Sequence, residues 1–470
     1  MTAVMEAPRS VDAPRPTRTP PSVDRFGVDW RDRVVGVVGM ARSGRAACQL
    51  LNQIGCRVRV SDRNDTEATR LVARQLLETG VERVELGDHS REIFHGCDVV
   101  VVSPGVPESA LPVRWAQAEG LPILSEVELA FRFCAAPIVA VTGTNGKSSA
   151  VTLIHQLLNA SGRPSVACGN LGIPFSTVIP TATPDTTVVV EVSSFQLLWC
   201  HEFRPNIGVL LNLGTNHLDR HADYDSYVTA KAKLFAKQTR DDFAVLNSGD
   251  AIMTRLGDQL RARRVWFGES SVNEPRFALE SRTRHTLPEN FQAVLQVGRI
   301  LGFPDPFIYQ TIREFRGLEH RIEYVATVRG VRFINDSKST TPESCVYALN
   351  RSSGPVVPII GGKDKGLDFR VLRPTLSQER VRGVVLIGES RPTLRAVLDG
   401  VPNIHESESL EDALRMAMTV ARPGDTVLFS PACASFDMFR DFEERGAIFK
   451  QLVRRLASSV ELAAANGAAA

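Results

Sequence analysis

Short runs of consecutive apolar residues alternate along the chain with stretches in which apolar residues recur at helical spacing. Three of these runs are V-V-G-V-V from Val34, V-V-V-V from Val99 and I-V-A-V from Ile138, and glycine or a polar residue soon follows each one. Uninterrupted apolar strands are typical of parallel sheets that are buried on both faces. The pattern therefore predicts an α/β protein with loops at the carboxyl ends of parallel strands.

The length of 470 residues favours two or three domains over one. The αβ alternation predicts a Rossmann-like domain over 29–125, a central parallel-sheet domain over 126–317 and a Rossmann-like C-terminal α/β domain over 318–458. Residues 1–28 are rich in proline and lack apolar periodicity, so we expect a disordered extension. Residues 459–470 end in A-A-A-N-G-A-A-A and are predicted to be a frayed tail.

The stretch after Val141, T-G-T-N-G-K-S-S, lies between a predicted strand and a predicted helix. Its glycines allow backbone N–H groups to surround a phosphate, the lysine reaches the terminal phosphates, and the serine hydroxyl suits Mg²⁺. The common phosphate loop has a further glycine where this chain has Val141, so the loop is a shorter variant. We predict ATP as its ligand, bound by Gly143, Thr144, Asn145, Gly146, Lys147, Ser148 and Ser149.

The first domain begins with a G-x-A-x-x-G turn between a strand and a helix, and its second strand ends at Asp62. The spacing from Gly39 to Asp62 fits a dinucleotide fingerprint, but Ala41 replaces the middle glycine. A nucleotide site and a Rossmann-like half that only packs both remain open. A third strand ends in Ser103-Pro104-Gly105, at the sheet edge where ligands of open α/β sheets bind.

Polar residues follow the buried strands of the central domain. Glu191 comes directly after V-V-V, so it is either a Mg²⁺ ligand or a capped or salt-bridged glutamate. The next strand leads into N-H-L-D-R-H, where His217 alone would be read as a loop histidine, but Asp219 and His221 stand beside it. Asn170, between two glycines, is expected in a loop close to a ligand.

The composition excludes several classes of protein. A net charge of +2 with 23% charged residues argues against a nucleic-acid or acidic-membrane partner. No apolar run reaches the length of a membrane span, and the N-terminus lacks a signal-peptide core, so we expect a cytoplasmic protein. The eight cysteines form no C-x-x-C pair, which excludes a structural zinc site. Only Cys433, within S-P-A-C-A-S, lies in a stretch of suspected function, and packing is its ordinary reading.

Taken together, the motifs resemble those of the Mur ligase family, and most closely its D-glutamate-adding branch. Seven occur in the family's order between about Arg31 and Leu456: T-G-T-N-G-K-S, E-V-S-S-F-Q-L, N-H-L-D-R-H, H-R-I-E, N-D-S-K-S-T, G-G-K-D-K-G and S-P-A-C-A-S-F-D-x-F. The resemblance implies a UDP-binding first domain, an ATP-binding central domain, and a third domain that carries the amino-acid site and closes over the others.

The resemblance also implies roles for individual residues. The UDP-sugar substrate would be held by Arg42, Ser43, Asp62, Arg63, Ser103, Pro104, Gly105 and Asn170. ATP would be bound by the phosphate loop together with Asn290, Arg321 and Asp336, and D-glutamate by Lys338, Thr340, Lys365, Ser435 and Phe442. Lys147, Glu191, His217 and Lys231 would be the catalytic set. Of these, Glu191 would share a first Mg²⁺ with Ser148, while His217 and Lys231 would serve a second.

Lys231 as a metal ligand conflicts with the chemistry of an ammonium group, which has no lone pair and repels Mg²⁺. A CO₂-derived carbamate on Lys231, also implied by the resemblance, removes the conflict. The alternative is a solvated helix lysine or an ion pair with Asp225. Two departures from the family pattern put other roles in doubt: Asn216 stands where an aspartate precedes the metal-site histidine, and Ala293 replaces the second amide of an N-x-x-N motif that begins at Asn290.

The activity implied is ATP-dependent addition of D-glutamate to UDP-N-acetylmuramoyl-L-alanine through an acyl phosphate, in the synthesis of peptidoglycan precursors, by a monomeric enzyme. The same reaction with L-glutamate and a folylpolyglutamate synthetase-like ligase are the alternatives. The latter class shares the short phosphate loop but lacks a UDP-binding first domain. A nicotinamide-dependent dehydrogenase would leave Lys147 and Ser148 unused. A purely structural protein would have no use for the seven motifs.

Overall fold

The computed structural model describes residues 19–170, 172–214, 223–268, 288–315, 317–352 and 354–467. The chain divides into two compact units, Met1–Phe315 and Arg316–Ala470. The first unit contains two sheets and the second contains one. Within the described residues, no helix combines the length and the apolar character needed to cross a bilayer.

The first sheet of unit 1 has five parallel strands in the order β3-β2-β1-β4-β5. Because β1 lies at the centre, the turn that follows it opens at the middle of the carboxyl edge. The elements are β1 Val34–Val38, α1 Arg42–Gln53, β2 Arg57–Asp62, α2 Glu67–Glu78, β3 Arg83–Leu86, β4 Val99–Val102, α3 Leu111–Ala118, β5 Ile123–Ser125 and α4 Glu126–Phe133, with a 3₁₀ turn at Arg91–Phe94.

The second sheet of unit 1 has six parallel strands in the order β11-β10-β9-β6-β8-β7. Its elements are β6 Ile138–Thr142, α5 Lys147–Ala160, β7 Ser165–Gly169, α6 Phe175–Val178, β8 Thr187–Glu191, α7 Ser194–Leu198, β9 Ile207–Leu210, α8 Tyr224–Ala232, β10 Phe243–Asn247, α9 Ala251–Gln259, β11 Arg263–Phe267, α10 Pro288–Ile300 and α11 Asp305–Glu314, with a 3₁₀ turn at Lys233–Phe235. The strand before the phosphate loop, β6, lies between β8 and β9. The loops after β8 and β9 therefore flank the phosphate loop.

One hydrophobic core spans both sheets of unit 1. It includes Val37 and Val60 from the first sheet, Val127 from α4, and Ala140 and Val190 from the second sheet, all 1% exposed or less. The consecutive apolar runs that predicted the strands supply this core, because a parallel strand covered by helices on both faces buries every side chain.

The expectation of disorder over 1–28 is wrong for residues 19–28. The buried carboxylate of Asp24 accepts hydrogen bonds from the indole of Trp30 at 3.0 Å and from Arg132 at 3.2 Å. The guanidinium of Arg25 lies 4.0 Å from the ring centre of Phe131. Proline-rich composition lowers the tendency to form helices and strands, but these contacts fix the segment as an irregular strap on α4. Residues 1–18 lie outside the described part of the chain.

Unit 2 contains a six-stranded sheet in the order β12-β13-β17-β14-β15-β16, in which only the edge pair β12 and β13 is antiparallel. Its elements are β12 Glu323–Val328, β13 Val331–Asn335, α12 Pro342–Arg351, β14 Val356–Gly361, α13 Arg373–Leu376, β15 Val384–Ile387, α14 Arg391–Val397, β16 Ile404–Glu406, α15 Leu410–Val420, β17 Thr426–Phe429 and α16 Phe442–Gly467, with a 3₁₀ turn at Phe369–Leu372.

The predicted fold class, α/β with three predominantly parallel sheets, is confirmed. The predicted tail over 459–470 is wrong as far as Gly467, because α16 continues to that residue. An alanine-rich sequence has high helix propensity, so the end of the chain extends the helix that precedes it.

Candidate functional site

The phosphate loop has the backbone shape that its sequence predicts. Gly143 and Gly146 have φ values of 152° and 84°, a region that L side chains rarely adopt. Gly146 is the N-cap of α5, and a Cβ there would collide with the amide of Asn290, which is 1% exposed. Asn290, predicted to bind ATP, thus packs against the phosphate loop.

Residues of the segment after β9 and of α8 fix the rest of this loop. The hydroxyl of Thr144 lies 2.7 Å from the hydroxyl of Tyr227 and accepts the N–H of Gly214 at 2.8 Å. The N–H of Asn145 donates to the amide oxygen of Asn212 at 2.8 Å. These contacts hold the loop from the β9 side.

Lys147 folds over the loop that precedes it. Its ammonium donates to the carbonyl oxygens of Gly143 at 2.8 Å and Thr144 at 2.9 Å. Ser148, 5% exposed, and Ser149, half-buried, follow in the first turn of α5. A positive charge, a helix N-terminus and a hydroxyl therefore meet at one edge of the second sheet, which is an arrangement that binds polyphosphate.

Glu191 ends β8 and pairs in register with Val141 of β6, next to the phosphate loop. The residue is 2% exposed, and its Oε1 accepts from the side-chain amide of Asn170 at 2.7 Å. Its Oε2 is buried and has no hydrogen-bond partner among the described residues. A buried carboxylate oxygen that lacks a partner fits a cation ligand, because leaving it unsatisfied is costly.

Lys231 is buried, at 2% exposure, on the short helix α8. Its Nζ donates to the carbonyl of Gly143 at 3.0 Å and to the hydroxyl of Thr142 at 3.4 Å, and it lies 4.7 Å from the ring centre of Tyr227. Burial lowers the pKa of Lys231 to about 6, with a further contribution from the charge of Lys147 and an opposing one from Glu191. The alternative of a solvated helix lysine is therefore wrong.

The predicted metal-site residue His217, with Asn216, Asp219 and His221, lies outside the described residues, which omit 215–222. Among the described residues, no group of three or more histidine, cysteine, aspartate or glutamate side chains is arranged to hold a metal ion.

A cavity of about 1080 Å³ opens along the carboxyl edge of the first sheet and extends to the loop after β7. All eight residues predicted to bind the UDP-sugar line it: Arg42, Ser43, Asp62, Arg63, Ser103, Pro104, Gly105 and Asn170. The carboxylate of Asp62 accepts the N–H of Met40 at 2.6 Å and the N–H of Asn64 at 2.8 Å. One carboxylate therefore links the turn after β1 to the turn after β2.

Further lining residues were not predicted, among them His89, Trp115 and Gln196. His89 lies 2.5 Å from the hydroxyl of Ser61, and burial lowers the pKa of His89, although the nearby Asp62 opposes this effect. The position of His89 just after β3 was an available signal, because loops at that edge of the sheet form the site.

In unit 2 the predicted amino-acid residues lie on loops after the neighbouring strands β13, β17 and β14 or at the start of α16. The ammonium of Lys338 lies 5.7 Å from the ring centre of Phe442, and that of Lys365 lies 5.3 Å from the ring centre of Phe436. Ser435, 2% exposed, precedes Phe436. Thr340 follows Lys338 in the loop after β13 and is half-buried. The sheet thus places both lysines and the serine at one edge.

Asp336 and Arg321 are also in unit 2. The carboxylate of Asp336 is buried, and its oxygens accept from the N–H of Ile322 at 3.1 Å and the hydroxyl of Ser430 at 2.7 Å. Burial raises the pKa of Asp336 to about 7. His320 and Ile322, the two neighbours of Arg321, both have left-handed backbone, with φ values of 61° and 46°. Through its bond to the N–H of Ile322, Asp336 stabilises this conformation on the C-terminal side of Arg321.

Comparison with known proteins agrees with this architecture. Three family models match: the Mur ligase MurD-like N-terminal domain over residues 33–125, the Mur ligase middle domain over 141–294, and the Mur ligase glutamate ligase domain over 320–433. The chain is 39% identical over 451 residues to the UDP-N-acetylmuramoylalanine–D-glutamate ligase of Pelotomaculum thermopropionicum, covering 91% of this chain and 99% of the relative. It is 39% identical over 441 residues to the ligase of the same name from Geotalea uraniireducens, covering 89% and 97%.

Solved structures with the same fold include the UDP-N-acetylmuramate-alanine ligase MurC of Thermotoga maritima, with a TM-score of 0.54, 19% identity and coverage of 90% of this chain and 99% of that one. The MurF ligase of Thermotoga maritima, in complex with ADP, gives a TM-score of 0.53 at 17% identity, covering 93% and 99%. With full-length relatives at 39% identity and all three domain models matched in order, the chain belongs to the Mur ligase family.

Proposed function

We propose that the protein is an ATP-dependent ligase that joins D-glutamate to UDP-N-acetylmuramoyl-L-alanine in peptidoglycan precursor synthesis. The observation that carries the proposal is the position of Asn170. Asn170 lines the large cavity, and its amide donates to Glu191 beside the phosphate loop at 2.7 Å. A sugar nucleotide in the cavity would therefore extend its far end toward ATP. The similarity to ligases named for D-glutamate supports this choice of amino acid.

Formation of an amide from a carboxylate requires an activated acyl group. A carboxylate oxygen of the sugar nucleotide attacks the γ-phosphorus of ATP, ADP leaves, and an acyl phosphate forms. The amino group of glutamate then attacks the acyl carbon, phosphate leaves with the electron pair of the broken C–O bond, and the nitrogen loses a proton. We assign to Lys147, whose ammonium lies against the carbonyl of Gly143 in the phosphate loop, the role of offsetting the negative charge on the phosphoryl group during the first step.

Mg²⁺ fits the residues next to the phosphate loop. Glu191 offers a buried oxygen without a partner among the described residues, and Ser148 offers a hydroxyl in the first turn of α5. When bound, Mg²⁺ would supply positive charge against the triphosphate. We assign Glu191 and Ser148 to a first ion, and Lys231 with His217 to a second.

We assign a carbamate to Lys231 because its surroundings disfavour an ammonium. The side chain is buried, its hydrogen bonds go to a carbonyl and a hydroxyl, and the cationic Lys147 is nearby. The neutral amine would attack the carbon of CO₂ and lose one proton, which forms an N–C bond and a negative carbamate. The product offers oxygen atoms of the kind that Mg²⁺ binds.

The amino acid would bind to the unit 2 loops. Lys338 and Lys365 supply two positive charges, and glutamate has two carboxylates to match them. Ser435 and Thr340 add hydroxyl groups, and Phe442 supplies an apolar wall beside Lys338. Arg321 remains a candidate for ATP, whereas both carboxylate oxygens of Asp336 are bound within unit 2.

The test is release of phosphate from ATP in the presence of UDP-N-acetylmuramoyl-L-alanine with D-glutamate or L-glutamate, together with mass spectrometry of the product. We expect release with D-glutamate only, and by a monomer in analytical ultracentrifugation. Equal or faster release with L-glutamate would establish the alternative substrate. Release that needs a folate and no uridine nucleotide would establish a folylpolyglutamate synthetase-like ligase, and the absence of ATP consumption would refute a ligase altogether.

A further inference from the structure

Arg445, on α16, is 1% exposed and is among the largest fully buried side chains of the described residues. Its guanidinium donates four hydrogen bonds within unit 2. Nε donates to the hydroxyl of Ser337 at 3.0 Å and Nη2 to the carbonyl of Ser337 at 2.8 Å, while Nη1 donates to the carbonyls of Cys433 and Ala434, both at 3.1 Å. All of these acceptors are neutral oxygens.

These contacts join two loops that leave different strands. Ser337 directly precedes Lys338 in the loop after β13, and Ala434 directly precedes Ser435 in the loop after β17. A third loop runs close to the guanidinium, since a Cβ added to Gly362, after β14, would lie 3.2 Å from Nη1. Arg445 therefore binds two of the unit 2 loops that carry predicted glutamate-binding groups and lies close to the third.

A lysine could not make the same contacts. The planar guanidinium has five N–H donors fixed in a fork, whereas an ammonium is a single point with three donors. Burying a cation without a paired carboxylate is costly. Such a cost is tolerated where one rigid group must satisfy several backbone carbonyls at once. Of these carbonyls, that of Ala434 also accepts the backbone N–H of Lys363 at 2.9 Å.

We propose that Arg445 is a positioning residue for the amino-acid site, which sets the spacing between the loop that carries Lys338 and the loop that carries Ser435. The inference rests on the proposed function, because it assumes that these loops, together with the loop that carries Lys365, bind glutamate. Arg445 itself need not touch the substrate. Its loss should therefore loosen glutamate binding while leaving the phosphate loop and the large cavity, both in unit 1, unaffected.

The test compares Arg445→Lys, which keeps the charge, with wild type. We expect the KM for glutamate to rise about tenfold or more, with the KM values for ATP and sugar nucleotide within about twofold. Ser337→Ala, which removes the acceptor of Nε and the hydrogen bond from the Ser337 hydroxyl to the carbonyl of Phe442, should give a smaller rise in the same direction. Val453→Ala is the matched control, because Val453 is fully buried on the same helix and contacts neither loop through hydrogen bonds, so it lowers stability alone.

The control distinguishes positioning from general stability. The inference is wrong if Val453→Ala, with a comparable fall in Tm, raises the KM for glutamate as much as Arg445→Lys does. It is also wrong if Arg445→Lys and Ser337→Ala both leave the KM for glutamate unchanged. Should Arg445→Lys fail to fold, Ser337→Ala alone decides. The assay uses whichever glutamate enantiomer the wild type consumes. Failure of D-glutamate with wild type would thus count against the proposed function, and an unchanged KM in the variants would count against Arg445 only.

Discussion

Glu126 is a buried acid whose ionisation should make the stability of unit 1 depend on pH. It opens α4 and is 1% exposed, and its Oε1 accepts the N–H of Ser176 at 2.5 Å. Its Oε2 has no partner among the described residues. Ser176 lies just after Gly172 and Pro174, which line the large cavity, so the carboxyl supports one wall of the proposed sugar-nucleotide site. The perturbation is Glu126→Gln, which keeps the acceptor and removes the charge.

Burial raises the pKa of Glu126 to about 7, against 4.5 for an ordinary glutamate. The folded protein therefore holds this proton more tightly than the unfolded chain does. The stabilisation is fully present below pH 4.5, where both states are protonated, and it is lost as the pH rises through about 7. Between these two pKa values the free energy of unfolding falls by about 1.4 kcal/mol for each pH unit, so the loss by pH 8 is about 3 kcal/mol. The glutamine variant does not ionise and keeps this stability.

The assay is urea unfolding at pH 5, 6, 7 and 8, followed by tryptophan fluorescence. The four tryptophans all lie in unit 1, so their signal reports the unit that contains Glu126: Trp30, Trp115, Trp199 and Trp266. Between pH 5 and 8, the free energy of unfolding of Glu126→Gln should rise relative to wild type by roughly 2 to 3 kcal/mol. Glu78→Gln, an exposed change of the same charge on α2, should follow wild type. Parallel pH profiles for Glu126→Gln and wild type would refute the reasoning.

Three further predictions concern the catalytic and binding groups. Lys147→Ala should abolish ligation while the protein still folds. Losing the lysine charge at the phosphoryl group costs on the order of 3 kcal/mol or more of transition-state stabilisation. Turnover within about tenfold of wild type would contradict this prediction. Lys365→Ala should raise the KM for glutamate far more than the KM for ATP or for the sugar nucleotide. The control is Lys363→Ala, which removes an exposed ion pair with Glu389 and should leave all three KM values unchanged. If Lys365→Ala raises all three KM values together, Lys365 is structural. Lys231→Ala should be nearly inactive and partly restored by short carboxylic acids, while Lys233→Ala, which loses a bond to the carbonyl of Leu198, should be milder. Equal damage without rescue would refute the carbamate.

The phosphate loop and the cavity lining could be predicted because their signals are local. The spacing of Gly143, Gly146 and Lys147 fixes a backbone shape whatever surrounds it, and the structure has that shape. Residues directly after parallel strands meet at one sheet edge by topology, which explains why Asp62 and Ser103 line the same cavity. His89 follows the same rule and was missed only because β3, at the edge of its sheet, has a weak apolar pattern.

Composition was a weaker guide at the ends of the chain. The prolines before Arg25 suggested disorder, but a single carboxylate, Asp24, satisfies two backbone N–H groups within its own turn and an indole six residues away. Amino-acid composition alone cannot reveal a specific hydrogen bond of this kind. At the other end, alanine and glycine suggested fraying, whereas α16 already had a core to extend from, with Phe449 and Val453 fully buried.

The charged residues beneath the loops were the hardest to predict, for a physical reason. Strands satisfy their backbone N–H and C=O groups by pairing with neighbouring strands. Loops leave many of these groups without such partners, and where the groups are buried they need partners from side chains. In this chain the partners are Glu126 under the cavity wall, Glu128 accepting from the N–H groups of 201–203, and Arg445 under the unit 2 loops. From a hydrophobicity pattern, a charged side chain on a helix is predicted to be exposed to solvent. Candidate ligand-binding groups can thus be proposed from sequence, while the charged groups that hold their loops in place are recognised only when the distant backbone that they bind is known.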